Sequence, residues 1–141
     1  MYIQRDLSSR YVRLLGERVK ESCYIFFSKE LWMEVRLQPF VCFLRRLLDL
    51  IQSRDAGDIF SEPVDLSEVP DYTDVVTQPM DLSTMRTKLE NFQYSNLDAF
   101  EKDFNLMINN CMAYNSRDTI FYRAAIKMRD QVSQEFLTYL I

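Results

Sequence analysis

Asn115 closes an apolar helical run. Across Ser116-Arg117-Asp118-Thr119 it is followed by Ile120 and Phe121, where a further helix begins. A carboxamide offers two donors and an acceptor and carries no charge. Its neighbours Tyr114 and Phe121 are aromatic, and an earlier acidic stretch brings Ile59, Phe60, Val64, Val69 and Tyr72. If both loops lie at one end of a helical bundle, these side chains enclose a mostly apolar cavity with few polar groups, the usual form of a small-ligand site. A ligand carbonyl would satisfy the carboxamide donor. An ammonium would instead lose its hydration among aliphatic and aromatic walls, at a cost on the order of several kcal/mol. The guest that fits is a neutral amide on an apolar stem, which describes acetylated lysine. Tyr72 could reach the same carbonyl through an ordered water, with Phe121 at the entrance against the lysine methylenes. The plain use of such an Asn is to stop a helix, since Asn tolerates a left-handed backbone.

Other chemistries are poorly supplied. The chain has no His, which excludes His general bases and His-based triads. Cys23, Cys42 and Cys111 are isolated from one another, so no structural zinc site and no cofactor is expected. Asp71 and Asp74 lie near Tyr72, but without a nucleophile or metal partner they do not make an enzyme. Asp118 is expected to cap the last helix. An odd, scattered set of cysteines suits a reducing compartment, each thiol serving as a small buried hydrophobe. The run Tyr24-Ile25-Phe26-Phe27 is too short for a membrane span or secretory signal, so a soluble intracellular protein is expected.

A net charge of −4 argues against direct nucleic-acid binding. From Arg54 to Asp81 a single base, Arg54, stands against Asp55, Asp58, Glu62, Asp65, Glu68, Asp71, Asp74 and Asp81. Such a rim would draw a basic peptide.

The elements that must position these groups are helical. At 141 residues and 48% hydrophobic content the chain can bury one core. Two Gly and four Pro leave few β-turns. Leu37, Phe40, Val41, Leu44, Leu47, Leu48 and Ile51 recur at offsets of three and four and predict a first helix from Val35 to about Ser53. Pro39 near its start costs little. Residues 54–80 carry Pro63, Pro70 and Pro79 with no helical or strand period, so a long loop is expected to wall the cavity. Asp81 should cap a short second helix carrying Leu82, Met85 and Leu89. The third, from Ser95 or Asn96, turns Leu97, Phe100, Phe104, Met107, Ile108, Cys111 and Tyr114 inward and Asp98, Glu101, Lys102 and Asp103 outward. The last, from about Thr119, buries Phe121, Ala124, Ala125, Met128, Val132, Phe136 and Leu140. Four such stripes pack most simply as a bundle. Residues 1–33 show no clean face and are expected to form a helical extension, with the bundle occupying 34–141. A helical protein–protein interaction bundle, with the cavity incidental, is the alternative.

Residues 35 to about 137 resemble a bromodomain. The matching motifs are Asp58-Ile59-Phe60, Pro63-Val64, Pro70-Asp71-Tyr72, Pro79-Met80-Asp81 and Asn110-Cys111 through Tyr114-Asn115, in that order. The runs Ile59–Val64, Ser67–Tyr72 and Asp118–Ala125 are similar to the BRPF group, bromodomain and PHD-finger scaffolds of MYST histone acetyltransferase complexes. The resemblance implies a left-handed all-α four-helix bundle that reads acetyl-lysine on histone tails in the nucleus, as a monomer. It implies Asn115 as the direct partner of the acetyl oxygen and Tyr72 as the water-mediated one. Val64, Val69, Ile59 and Phe60 would form the wall with Cys111, Phe121 the gatekeeper, and Tyr114 the base of the pocket or a peptide contact. Residues 1–33 lie outside the resemblance, and the PHD fingers of such scaffolds are absent from these residues.

Overall fold

The computed structural model describes residues 38–140. Its helices are α1 Gln38–Arg54, α2 Tyr72–Val75, α3 Leu82–Glu90, α4 Leu97–Tyr114 and α5 Ile120–Leu140, and no strand occurs among the described residues. Helices α1, α3, α4 and α5 are the four that hydrophobic periodicity predicts. The extension expected at residues 1–33 lies outside the described residues. So do the side chains of Leu37, Phe136 and Leu140.

One apolar seam holds the bundle. Leu44, Leu48 and Ile51 of α1 meet Met85 and Leu89 of α3, Phe100 and Ile108 of α4 and Val132 of α5, all essentially inaccessible to solvent. Burying each such side chain contributes about 1.5–3 kcal/mol relative to leaving it exposed. Helix α1 packs on α3 and α5, and α4 on α5. Ion pairs lie along the outside of these seams: Arg45 grips Glu90 with two bonds of 2.7 Å, and Arg86 meets Asp49 at 2.8 Å. Asp103, expected to face outward, is half-buried. It accepts hydrogen bonds from Lys88 and from the Tyr94 hydroxyl at 2.7 Å. A long helix can turn a carboxylate inward where two donors from a neighbouring segment meet it.

The helix ends are fixed by short polar side chains. Asp81 is extended at φ −151° and accepts from the Thr84 N–H, as expected for an N-cap. Asn96 does the same for α4 through the Ala99 N–H at 2.8 Å. The cap of α5 is Thr119 rather than Asp118: its hydroxyl accepts from the Tyr122 N–H at 3.2 Å. Since α5 begins at Ile120, position 119 is the one whose side chain faces the free amide donors.

The stretch between α1 and α3 is more ordered than a loop without period implies. Asp55, which composition counts among the surface acids, is buried. Its carboxylate accepts from the Ile59 and Phe60 N–H groups at 2.9 and 2.8 Å. That bond pair turns the chain back at the end of α1. Asp58 sits at φ 49°, a left-handed conformation that Asp tolerates better than most residues. Next, the carbonyls of Phe60 and Ser61 accept from Leu82 N–H at 2.8 Å and Ser83 N–H at 3.1 Å. These donors at the start of α3 have no partner within their own helix. The short α2, unexpected from the sequence, packs on α4. Four residues are too few to show a period.

Candidate functional site

The C-terminal end of α4, the start of α5 and the loop from Asp55 to Asp81 enclose one cavity of about 220 Å³. Each wall is placed by the local folding described above. The buried Asp55 carboxylate positions Ile59 and Phe60, the latter 4% exposed. Val64 and Val69 follow on the same side of the cavity, Val64 remaining 40% exposed at the edge. Helix α2 carries Tyr72 inward, and α4 presents Met107, Cys111 and Tyr114 at helical spacing. Phe121, at the first turn of α5, is 43% exposed at the mouth, not buried as its place in the helical stripe suggests. Thus all nine residues singled out from the sequence, Asn115 included, contribute to this cavity.

Asn115 ends α4, but at φ −94° and ψ 139°. Its backbone is extended, so tolerance of the left-handed region is not why Asn stands there. Its side chain carries the distinction instead. The amide nitrogen donates to the Cys111 carbonyl at 2.9 Å, which fixes the rotamer. For its other hydrogen the described residues supply only the Cys111 sulfur at 3.6 Å, a weak acceptor. The carboxamide is thus held in place with a donor to spare for a better acceptor.

Tyr72 is 6% exposed, and its hydroxyl has no hydrogen-bond partner among the described residues. A buried hydroxyl left in that state is costly, and polar groups of this kind ordinarily find a partner. Burial, and then the nearby Cys111, push the Tyr72 phenol above its ordinary value. Burial likewise pushes the Cys111 thiol up, against the opposing bond from Asn115, so the thiol stays neutral. It donates weakly to the Phe121 carbonyl at 3.4 Å, joining α4 to the first turn of α5.

Tyr114 lines the cavity at the last turn of α4. It is half-buried beside Tyr72, ring centroids 5.0 Å apart and edge to face. Its hydroxyl donates to Asp71 at 2.9 Å, which raises the phenol above its ordinary value. This bond, with that from the Asn110 amide to the Gln78 carbonyl at 2.7 Å, straps the loop onto α4.

Glu62, Met80, Asp81 and Met107 also line the cavity without having been singled out as site residues. Met107 was legible: it precedes Cys111 and Asn115 by four and eight residues, on the same helical face. Met80 and Asp81 stand in the Pro79-Met80-Asp81 motif, but only the folded loop brings that motif back over α4. Asp55 and Asp81 are not part of the charged rim, as both are buried and engaged with backbone donors. The remaining six acids of that run are exposed.

Among the described residues no group of side chains could hold a metal ion, and no helix is long and apolar enough to cross a membrane.

Comparison with known proteins agrees with the motif pattern. Over 98 residues, 70% of the chain, it is 57% identical to bromodomain and PHD finger-containing protein 3 of Mus musculus. Over 140 residues, 96% of the chain, it is 52% identical to a bromodomain-containing protein homolog of Drosophila melanogaster, an alignment that takes in most of residues 1–33. The chain spans only 8% and 10% of the length of these relatives. A solved hypothetical bromodomain from Trypanosoma brucei, in complex with bromosporine, superposes with a TM-score of 0.63 at 27% identity, over 66% of this chain and 81% of that one. The bromodomain family model matches residues 44–127, a span that holds every residue lining the cavity. On this match, and on the helical architecture that accompanies it, the chain belongs to the bromodomain family.

Proposed function

We propose that the chain is an acetyl-lysine reader that binds acetylated histone tails. One observation carries the proposal: a fixed, uncharged carboxamide with a spare donor and a buried phenol unpartnered among the described residues face the same mostly apolar cavity. The acetyl carbonyl accepts from Asn115, directly, and from Tyr72 through a water. Ile59, Phe60, Val64 and Val69 pack on the methyl group and methylenes, and Phe121 covers the stem at the mouth. An unmodified lysine has no acceptor for Asn115 and would surrender its hydration to these walls. Discrimination therefore comes from charge as much as from shape.

The neutral Cys111 serves as wall rather than nucleophile, and the domain performs no reaction on its ligand. The similarity to bromodomain and PHD finger-containing protein 3 supports a place in a nuclear scaffold, with subunits of a MYST-type histone acetyltransferase complex as partners. Within it this domain acts as a monomeric targeting module.

Titration calorimetry with acetylated and unmodified histone-tail peptides tests the proposal. Wild-type protein should bind the acetylated peptide with a Kd of about tens of micromolar to millimolar, because one side chain buries little area. Asn115→Ala should abolish that binding while leaving helicity by circular dichroism intact. Equal binding of both peptides, or by both proteins, would overturn it.

A further inference from the structure

Among the described residues, Glu62 is the one exposed acid that lines the cavity. The other carboxylate there, Asp81, is buried, and its oxygens accept from the Thr84 N–H and from the Ser83 and Thr84 hydroxyls. Glu62 has no hydrogen bond or ion pair among the described residues. Its backbone is nevertheless held on both sides. Ser61 is tied through its carbonyl to Ser83 N–H and through its hydroxyl to Asp58. Pro63 follows, and a residue before proline is held to an extended backbone. A carboxylate is thus delivered to the mouth of a cavity whose interior accepts only neutral groups. An independent sign of a ligand in that interior is the Tyr72 hydroxyl, unpartnered and more than nine-tenths buried.

We infer that Glu62 selects a cationic side chain adjoining the acetylated lysine, so the site prefers a neutral amide flanked by Arg or Lys over the same amide in a neutral context. This rests on the proposed acetyl-lysine reading and refines it. The interior rejects charge by desolvation, whereas the rim attracts it, so the two requirements fall on neighbouring residues of one peptide. An exposed carboxylate paired with a flexible base contributes modestly, about two- to fivefold in affinity.

Paired peptides test this: an acetyl-lysine flanked by Arg, and the same peptide with Gln in place of each Arg. Each is titrated into the wild-type protein, Glu62→Gln and Asp74→Asn. Asp74 is an exposed acid of α2 that does not line the cavity, so its variant carries the same charge change away from the mouth. The expected result is about two- to fivefold tighter binding of the Arg peptide by wild type and Asp74→Asn, and near-equal binding of the two peptides by Glu62→Gln. The inference is overturned if Glu62→Gln keeps the full preference, if Asp74→Asn loses as much of it, or if wild type shows none. In each of those cases the Gln peptide still binds through Asn115 when the acetyl-lysine reading holds. Failure of the Gln peptide to bind wild type at all contradicts that reading itself.

Discussion

The Tyr72 hydroxyl and the Asn115 amide answer different questions. Asn115 is held by its own helix, so its contribution is direct and preorganised. Tyr72 has no hydrogen-bond partner among the described residues, so its contribution runs through a water. Tyr72→Phe should therefore weaken acetyl-lysine binding by about two- to tenfold, the worth of one mediated hydrogen bond. The same variant should leave the melting temperature unchanged, since no hydrogen bond to a described residue is lost. A drop in melting temperature with no change in affinity would show that the hydroxyl serves the fold instead. Neither Tyr72 nor Cys111 ionises near neutral pH, because burial raises both above ordinary values of 10.0 and 9.0. At this scale the sequence was informative where residue type decides the chemistry, as for an amide and a phenol among apolar neighbours. It was uninformative where conformation decides, as for the extended backbone of Asn115.

At the scale of elements, the loop between α1 and α3 depends on one buried carboxylate. Asp55 supplies the acceptor for two successive amide donors, one of them on the buried Phe60. Asp55→Ala leaves those donors without a partner and should cost about 2–4 kcal/mol in chemical denaturation. Acetyl-lysine affinity should fall with it, because Ile59 and Phe60 no longer hold the wall. Full affinity in a destabilised Asp55→Ala protein would show that this side of the cavity is dispensable. The long helices were legible because each buries one stripe at offsets of three and four. The loop was not. Its order comes from side chain to backbone bonds at Asp55, Asp65 and Asp81 and from the single turn of α2, none of which leaves a period. Two of those acids therefore read as solvated charge from composition alone.

At the scale of the whole molecule, the bundle separates two ends with different work. The α3–α4 connection is pinned by Asp103, Lys88 and Tyr94, with the Lys88 ammonium 5.1 Å from the Tyr94 ring centroid. Burial, then the bond to Asp103, holds the Tyr94 phenol well above its ordinary value, as befits a structural group. The other end carries the cavity and the exposed acids, at the far end of the 18-residue α4, about 27 Å away at 1.5 Å per residue. Ligand binding should register at one end and leave the other silent. The most direct measurement is a nuclear magnetic resonance titration that follows the side-chain amide of Asn115 alongside the backbone amides. An acetylated histone-tail peptide should shift the Asn115 carboxamide resonances saturably, together with Ile59, Phe60 and Tyr72, while Tyr94 and Asp103 stay in place and the unmodified peptide has no effect. If the acetylated peptide moves other surfaces and leaves the Asn115 carboxamide untouched, or if the unmodified peptide shifts it equally, the carboxamide is not the group that reads the masked lysine.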